Sequence, residues 1–321
     1  MTKILEPTAL NIDKCIEILK KNQIIAIPTE TVYGLAGLAQ SDEAVSKIFE
    51  VKDRPQFNPL ISHYASMDQL SRDALLNDLA IKLYEAFCPG PLTLVLNKTK
   101  NSRISRLACA GLETAAVRFP SHEITRNLLQ KLNEPLVAPS ANPSGRVSPV
   151  TAEQVKNMLN KKIDFILDGG RCEIGLESTI IDLSLDEPVI LRFGAITKEM
   201  LENVLGTPVS TYSTSQIKSP GMMFQHYSPK CGLRLGTSPQ NPNEVLLTFG
   251  QIKYEKGFKV VKNLSPSGNM IEAAKNLFNY LHEFDSMDIS GIAAVLVPDE
   301  GIGKAINDRL KRAAGIVYSS T

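Results

Sequence analysis

The chain has 321 residues, 43% of them hydrophobic, which is enough for a buried core and, at roughly 100–200 residues per core, for about two domains. Its 35 lysines and arginines balance 34 aspartates and glutamates, so composition carries no bulk signal for nucleic acid or an anionic membrane. The five cysteines form no Cys-x-x-Cys pair, the four histidines are scattered, the first residues lack a signal-peptide core and no apolar run approaches about 18 residues; a reduced cytoplasmic protein without zinc site or disulfide framework is expected.

In chain order, a helix is expected over 12–21 and a β-branched strand over 24–27, followed by PTETVYGLAG at 28–37. That segment reads as a strand breaking into a functional loop, because sheet ligands bind where strands end; a solvated hydroxyl face has equal weight. Ser41 is placed to cap a helix over 42–52, which ends in Lys52-Asp53-Arg54-Pro55. Two cations on a turn stiffened by proline suit either the negative end of the helix dipole or a polyphosphate. Asn58 follows, and His63 lies in a strand-like run over 60–64, where a satisfied core histidine is the commoner explanation.

A helix over 78–87 and strands over 92–96 and 115–119 come next, the last containing Arg118. An arginine inside an apolar strand is costly unless paired, and a ligand carboxylate and an internal salt bridge are equally good partners. After a helix over 123–132 and a strand over 136–138 stands PSANPSG at 139–145, with Ser148 soon after. Small residues around a glycine let backbone N–H groups approach a phosphate, although neither common glycine-rich phosphate loop is matched. Thr151 starts a helix over 152–159, and strands over 165–167, 179–183 and 189–192 precede a helix over 198–204. Asp168-Gly169-Gly170, Gly175-Leu176-Glu177-Ser178-Thr179 and Arg192 fall at the strand ends.

These elements predict an α/β domain over 1–206 with a sizeable sheet, and the Ser/Thr/Pro/Gly-rich stretch 207–230 reads as a linker. Strands over 244–249, 259–264 and 292–297, alternating with helices over 270–284 and 304–314, predict a small doubly wound domain over 231–321. Several cations and many hydroxyls, with no nucleophile–His–Asp triad pattern, suit chemistry done by positioning and electrostatics, as in nucleotidyl transfer.

Taken in this order, PTETVYGL, KDRP with NPL and His63, GPLTLVL at 90–96, AVRFP, PSANPSG, DGG with GLESTIID, and LRFG resemble the threonylcarbamoyl-AMP synthase family. SPGMMFQHYSP at 219–229 resembles the linker of its long, two-domain form. The resemblance implies a YrdC-like twisted mixed sheet with flanking helices, plus a smaller Rossmann-like α/β domain. It implies that L-threonine, bicarbonate or CO2, and ATP give threonylcarbamoyl-adenylate and pyrophosphate, without a covalent nucleophile. Mg²⁺ would ride on the ATP phosphates rather than on protein side chains. The product would pass to a separate tRNA threonylcarbamoyl transferase that modifies adenosine beside the anticodon, with weak or no direct RNA binding. Carried over position by position, Thr31, His63, Arg118, Ala138 (through its backbone) and Ser178 would hold threonine. Lys52, Arg54, Asn58, Thr114, Ser140, Asn142, Ser148, Arg192 and Tyr227 would hold ATP, with the linker over 207–230 closing as a lid. Asn58 and Pro139 depart from relatives that carry lysine and threonine there. A double-stranded RNA-binding or regulatory relative without turnover, and a carbamoyl-transfer domain of the hydrogenase-maturation kind, are the competing readings.

Overall fold

The computed structural model describes residues 1–211 and 227–316. Among these the first half runs β1 (Lys3–Leu5), α1 (Ala9–Lys20), β2 (Ile25–Ile27), β3 (Gly34–Leu38), α2 (Asp42–Lys52), β4 (Ile61–His63), α3 (Met67–Leu70), α4 (Asp78–Phe87) and β5 (Leu92–Asn97). It continues through β6 (Thr114–Arg118), α5 (Glu123–Leu132), β7 (Leu136–Val137), α6 (Ala152–Leu159), β8 (Phe165–Leu167), β9 (Thr179–Asp182), β10 (Val189–Arg192), α7 (Lys198–Leu205) and β11 (Ser210–Thr211). A second unit follows, with β12 (Leu233–Leu235), β13 (Glu244–Thr248), β14 (Val260–Asn263), α8 (Met270–Asp285), β15 (Gly291–Ala294) and α9 (Gly303–Ala313).

Local chemistry sets the helix bounds. Thr8, Ser41, Asn77, Thr151, Thr197 and Asn269 each accept a first-turn backbone N–H through the side chain, which satisfies donors that helix geometry leaves over. Helix α2 stops where Asp53 turns left-handed (φ 51°) ahead of Pro55. The segment 28–37 differs from the expected loop. Its second half is β3, antiparallel to β2 with Ile27 opposite Gly34, so 28–33 is the closed end of a hairpin. The glycines and alanine of β3 give no β-branched signal. The glycines are set by close neighbours: a Cβ on Gly37 would stand 3.1 Å from the Ala44 Cβ and 3.3 Å from the Ile48 Cδ1 of α2, and one on Gly34 would stand 3.0 Å from the Ala138 Cβ.

The first sheet is mixed, in the order β1-β8-β2-β3-β7-β4-β6-β5-β9-β10-β11. Its last strand, at Ser210–Thr211, runs past the expected boundary at 206, and residues 212–226 of the expected lid lie outside the described residues. Across its middle, backbone register lines up His63 of β4, Arg118 of β6, Thr93 of β5, Ile180 of β9 and Arg192 of β10 in one transverse row. Side chains alternate along each strand, so Val117, Leu94 and Ile181 enter the main core while Ala116, Val95 and Ile180 form a small apolar patch on the other face. Polar site residues are thus carried on the thinly covered face, beside a packed one.

The second sheet, β12-β15-β13-β14, is all parallel, as the Rossmann-like expectation requires. Helix α8 buries Ala273, Ala274, Leu277, Phe278, Leu281 and Phe284. It also docks on the first domain, where the Arg171 Nη2 donates to the Lys275 carbonyl at 2.9 Å and the Gln154 Nε2 to the Asn279 Oδ1 at 3.2 Å. Gly175 permits this approach: it has φ 77°, and a Cβ there would lie 2.8 Å from the Lys275 Cα. Gly175→Ala should cost about 1–3 kcal/mol in urea unfolding, because left-handed strain and a backbone clash act together; stability within about 0.5 kcal/mol of wild type would contradict this close docking.

Candidate active site

The hairpin end 29–33 is buried throughout. The Thr29 hydroxyl donates to the Val32 carbonyl at 2.6 Å and accepts the backbone N–H groups of Thr31 and Val32, which makes the tight turn self-satisfied. That turn presents Glu30 and Thr31 to Arg118, whose Nη2 donates to the Glu30 Oε1 at 2.6 Å and to the Thr31 Oγ1 at 2.8 Å. The other Glu30 oxygen accepts the Ser121 N–H at 3.1 Å. Of the two partners open to Arg118, the internal carboxylate is therefore present. The Arg118 Nε is nevertheless buried with no hydrogen-bond partner among the described residues, a donor suited to a further anion. Tyr33 is a structural neighbour: its single O–H lies within reach of the Gly170 carbonyl at 2.8 Å and the Asp168 Oδ1 at 3.1 Å, and its oxygen accepts the Gly169 N–H, tying hairpin to the Asp168-Gly169-Gly170 turn.

His63 stands beside Arg118 in register, its Nδ1 3.2 Å from the Ile61 carbonyl. Burial, reinforced by the Arg118 charge, lowers its pKa from 6.5 to about 3, so the imidazole is neutral near pH 7. Ser178 closes the row: its hydroxyl lies 2.7 Å from the Thr93 Oγ1 and accepts the Arg192 Nη2 at 3.1 Å, while the Arg192 Nε donates to the Ser178 carbonyl at 3.0 Å.

The remaining cations come from the end of α2. Lys52 is buried and donates to the Ser140 and Asn142 carbonyls, both at 2.5 Å, so it anchors the Ser-Ala-Asn turn. Burial, together with Arg54, holds its ammonium well below the usual lysine range. Arg54 donates from Nε to the Asn58 carbonyl at 3.2 Å and from Nη2 to the Pro59 carbonyl at 3.0 Å, two of its five N–H groups. Burial and then Arg192 depress its pKa to about 9, and burial lowers that of Arg192 too. A pocket that penalises its own cations is electrostatically matched to a polyanion. The Asn58 side chain fits this: it is fully buried, and neither Oδ1 nor Nδ2 has a partner among the described residues. Asn142 holds its loop through the Pro143 and Arg146 carbonyls, and its Oδ1 is likewise unpartnered.

Residues 17–194 match the family model described as telomere recombination, of the Sua5, YciO and YrdC proteins, and residues 196–315 match that of the threonylcarbamoyl-AMP synthase C-terminal domain. The chain belongs to the threonylcarbamoyl-AMP synthase family. The Pyrococcus abyssi threonylcarbamoyl-AMP synthase is 38% identical over 92% of both chains, and that of Bacillus subtilis is 38% identical over 93% of this chain and 91% of its own. The crystal structure of P. abyssi Sua5 complexed with L-threonine superposes with a TM-score of 0.90, at 35% identity and over 98% of each chain.

Within this family member the fold gathers Thr31 and Ser178 against the row that holds His63 and Arg118, with Lys52, Arg54, Asn58, Ser140, Asn142 and Arg192 in the buried cation cluster and its loop. Ala138 is a backbone element, its N–H donating to the Ile61 carbonyl at 3.0 Å, and Pro139 likewise acts through its carbonyl, which accepts the Leu35 N–H at 2.7 Å. Thr114 lies at the other end of β6 from Arg118, opposite Asn97 and about 13 Å along the strand; there the parallel register of β4 and β6 runs back toward Pro59, whose carbonyl accepts the Arg54 Nη2. Tyr227 is buried against the second domain, its ring stacked on Phe278 at 5.5 Å. Ser148 donates to the Glu177 Oε1 at 2.6 Å. Neither Glu30 nor Glu177 was assigned a ligand from the sequence, although each lies in a segment singled out there. The signal for Glu30 was the buried arginine itself, which demands a nearby anion, whereas nothing local marks Glu177.

The histidine shift has a measurable consequence. Unfolded His63 binds a proton near pH 6.5 and the folded residue only near pH 3, so its stabilising contribution is complete above pH 6.5 and declines as pH falls below it. His63→Asn should remove about 1.4 kcal/mol per pH unit from the acid-side slope of unfolding free energy between about pH 6.5 and 5. Parallel slopes for wild type and variant would contradict a neutral, buried imidazole.

Proposed function

We propose that this chain is an L-threonylcarbamoyladenylate synthase, a nucleotidyltransferase whose threonine and nucleotide subsites meet at Ser178. The observation that carries this reading is the hydroxyl of Ser178, packed on Thr93 in the Arg118 row and bonded to Arg192 of the cation cluster. One residue spans the group that would receive threonine and the group that would receive phosphate, which is the juxtaposition an adenylation needs.

On this reading Arg118 meets the threonine carboxylate through N–H groups that Glu30 does not occupy, while Glu30 keeps the guanidinium charge balanced before threonine binds. Neutral His63 serves as a hydrogen-bond partner instead of adding a third charge. Threonine's amine nitrogen attacks the carbon of bicarbonate or CO2 and loses a proton, giving a carbamate, with water released when bicarbonate is used. A carbamate oxygen then attacks the α-phosphorus of ATP, and the bond to the bridging oxygen breaks to release pyrophosphate. Lys52, Arg54 and Arg192 would balance the phosphate charge, and Asn58 would bond the nucleotide with its unpartnered amide. The cluster offers cationic and hydroxyl donors that suit phosphate oxygens, and the carboxylate beside it, Glu177, is engaged by Ser148 and Arg309. Mg²⁺ would thus be held through ATP, where it supplies charge neutralisation. A downstream tRNA threonylcarbamoyl transferase would take the product, and cytoplasmic location is consistent with five free cysteines and with the absence, among the described residues, of a helix able to cross a membrane.

Pyrophosphate release from ATP, threonine and bicarbonate should fall to background when any one of them is omitted. Release that persists without threonine would refute the substrate. Arg118→Ala should abolish threonine-dependent release and also destabilise the protein by about 3–5 kcal/mol, because Glu30 is left buried without its cation. A fully stable variant would contradict the ion pair, and retained threonine dependence would contradict the subsite.

A further inference from the structure

Arg309 on α9 is among the largest fully buried side chains, and it belongs to the second domain. Its Nε donates to the Glu177 Oε2 of the first domain at 3.2 Å, and its Nη1 to the neighbouring Asp308 at 2.9 Å. Its Nη2 is buried without a hydrogen-bond partner among the described residues. The other oxygen of Glu177 is the one that accepts the Ser148 hydroxyl at 2.6 Å. The guanidinium also lies over the Tyr227 ring, 5.3 Å from its centroid, and that ring stacks on Phe278 of α8. A second strut reaches the same place, since the His282 Nε2 of α8 lies 3.0 Å from the Ser148 carbonyl.

Burying an arginine is costly, and a simple docking contact between domains is better made by apolar residues. Here the cation is spent on the carboxylate that grips Ser148 and on the face of Tyr227. Glu177 immediately precedes Ser178, whose hydroxyl accepts the Arg192 Nη2 at 3.1 Å, so the same group adjoins Arg192 of the cation cluster. We propose that Arg309 is a positioning residue through which the second domain sets the nucleotide half of the site: it fixes Glu177, Glu177 fixes Ser148, and Tyr227 is clamped between Arg309 and Phe278. This rests on the assignment of Ser148 and Tyr227 to ATP. It gives the second domain a direct part in nucleotide geometry.

The test uses the full-length protein and measures ATP and threonine affinities separately by calorimetry, together with KM for each in pyrophosphate release. Arg309→Met should raise the ATP Kd and KM at least tenfold while threonine affinity stays within about twofold, and Arg309→Lys should recover part of the loss. Arg309→Met combined with Ser148→Ala should be no worse than the more damaging single change, since both act through one contact chain. Equal losses for both ligands, additive effects, or a lowered Tm with unchanged ATP affinity would each overturn the proposal and leave Arg309 as a docking pin. Should Arg309→Met not fold, Glu177→Gln, which keeps the shape but weakens the ion pair, carries the same comparison: an ATP-selective loss supports the relay, and unselective loss or none overturns it. A wild type that binds ATP yet releases no pyrophosphate with threonine and bicarbonate counts against the catalytic reading alone, and the ATP affinities of these variants then decide the role of Arg309.

Discussion

Burying positive charge on one side of a sheet is the constraint from which the rest of this structure follows. Lys52, Arg54, Arg118, Arg192 and Arg309 are each less than a tenth exposed. In a low-dielectric interior none of these charges is tolerated alone, so each must be met by carbonyls, carboxylates or a bound anion. The protein meets them in different ways. Lys52 is satisfied by two backbone carbonyls, Arg118 by Glu30, Arg192 by Ser178, and Arg309 by Glu177 and Asp308. Carbonyls and hydroxyls stabilise a cation less than a full negative charge does, and the depressed pKa values of Lys52, Arg54 and Arg192 record the deficit. A bound anion would relieve that deficit.

The compensation scheme also explains the division of labour between faces and domains. One face of the large sheet packs Val117, Leu94 and Ile181 into the main core, which holds the strands rigid. The other can then carry Arg118, His63 and Thr93 in register without a thick apolar cover. Rigid strands fix positions along the row, whereas the loops at 139–145 and 175–178 need external support. Lys52 supports the first by gripping its carbonyls, and the second domain supports the other through Arg309 and α8. Gly175 and Gly194 mark how tightly this second loop is held: a Cβ on Gly194 would come within 2.4 Å of the Thr179 backbone nitrogen.

Much of the architecture was legible in the sequence for local reasons. Helices α2, α4 and α6 begin where capping residues place them, α5 follows its apolar spacing, and the second domain's alternation of strands and helices yields a parallel sheet as expected. Weak strands escaped. Lys3–Leu5, Gly34–Leu38, Ser210–Thr211 and Leu233–Leu235 are short or built of small residues, and only pairing with neighbours makes them strands. Motif order identified the family because the residues that carry it are grouped within short segments.

By itself the sequence determined which residue types were available and where they cluster along the chain: cations at a helix end, hydroxyls in a hairpin, an amide-rich turn. These are set by neighbours within a few positions. Only the tertiary structure decided who compensates whom. Arg118 finds Glu30 across 88 residues, Ser148 finds Glu177 across 29, and Arg309 reaches Glu177 across 132 and a domain boundary. Such pairings depend on how sheets register and domains dock, and a charge leaves no trace of its partner in the residues beside it.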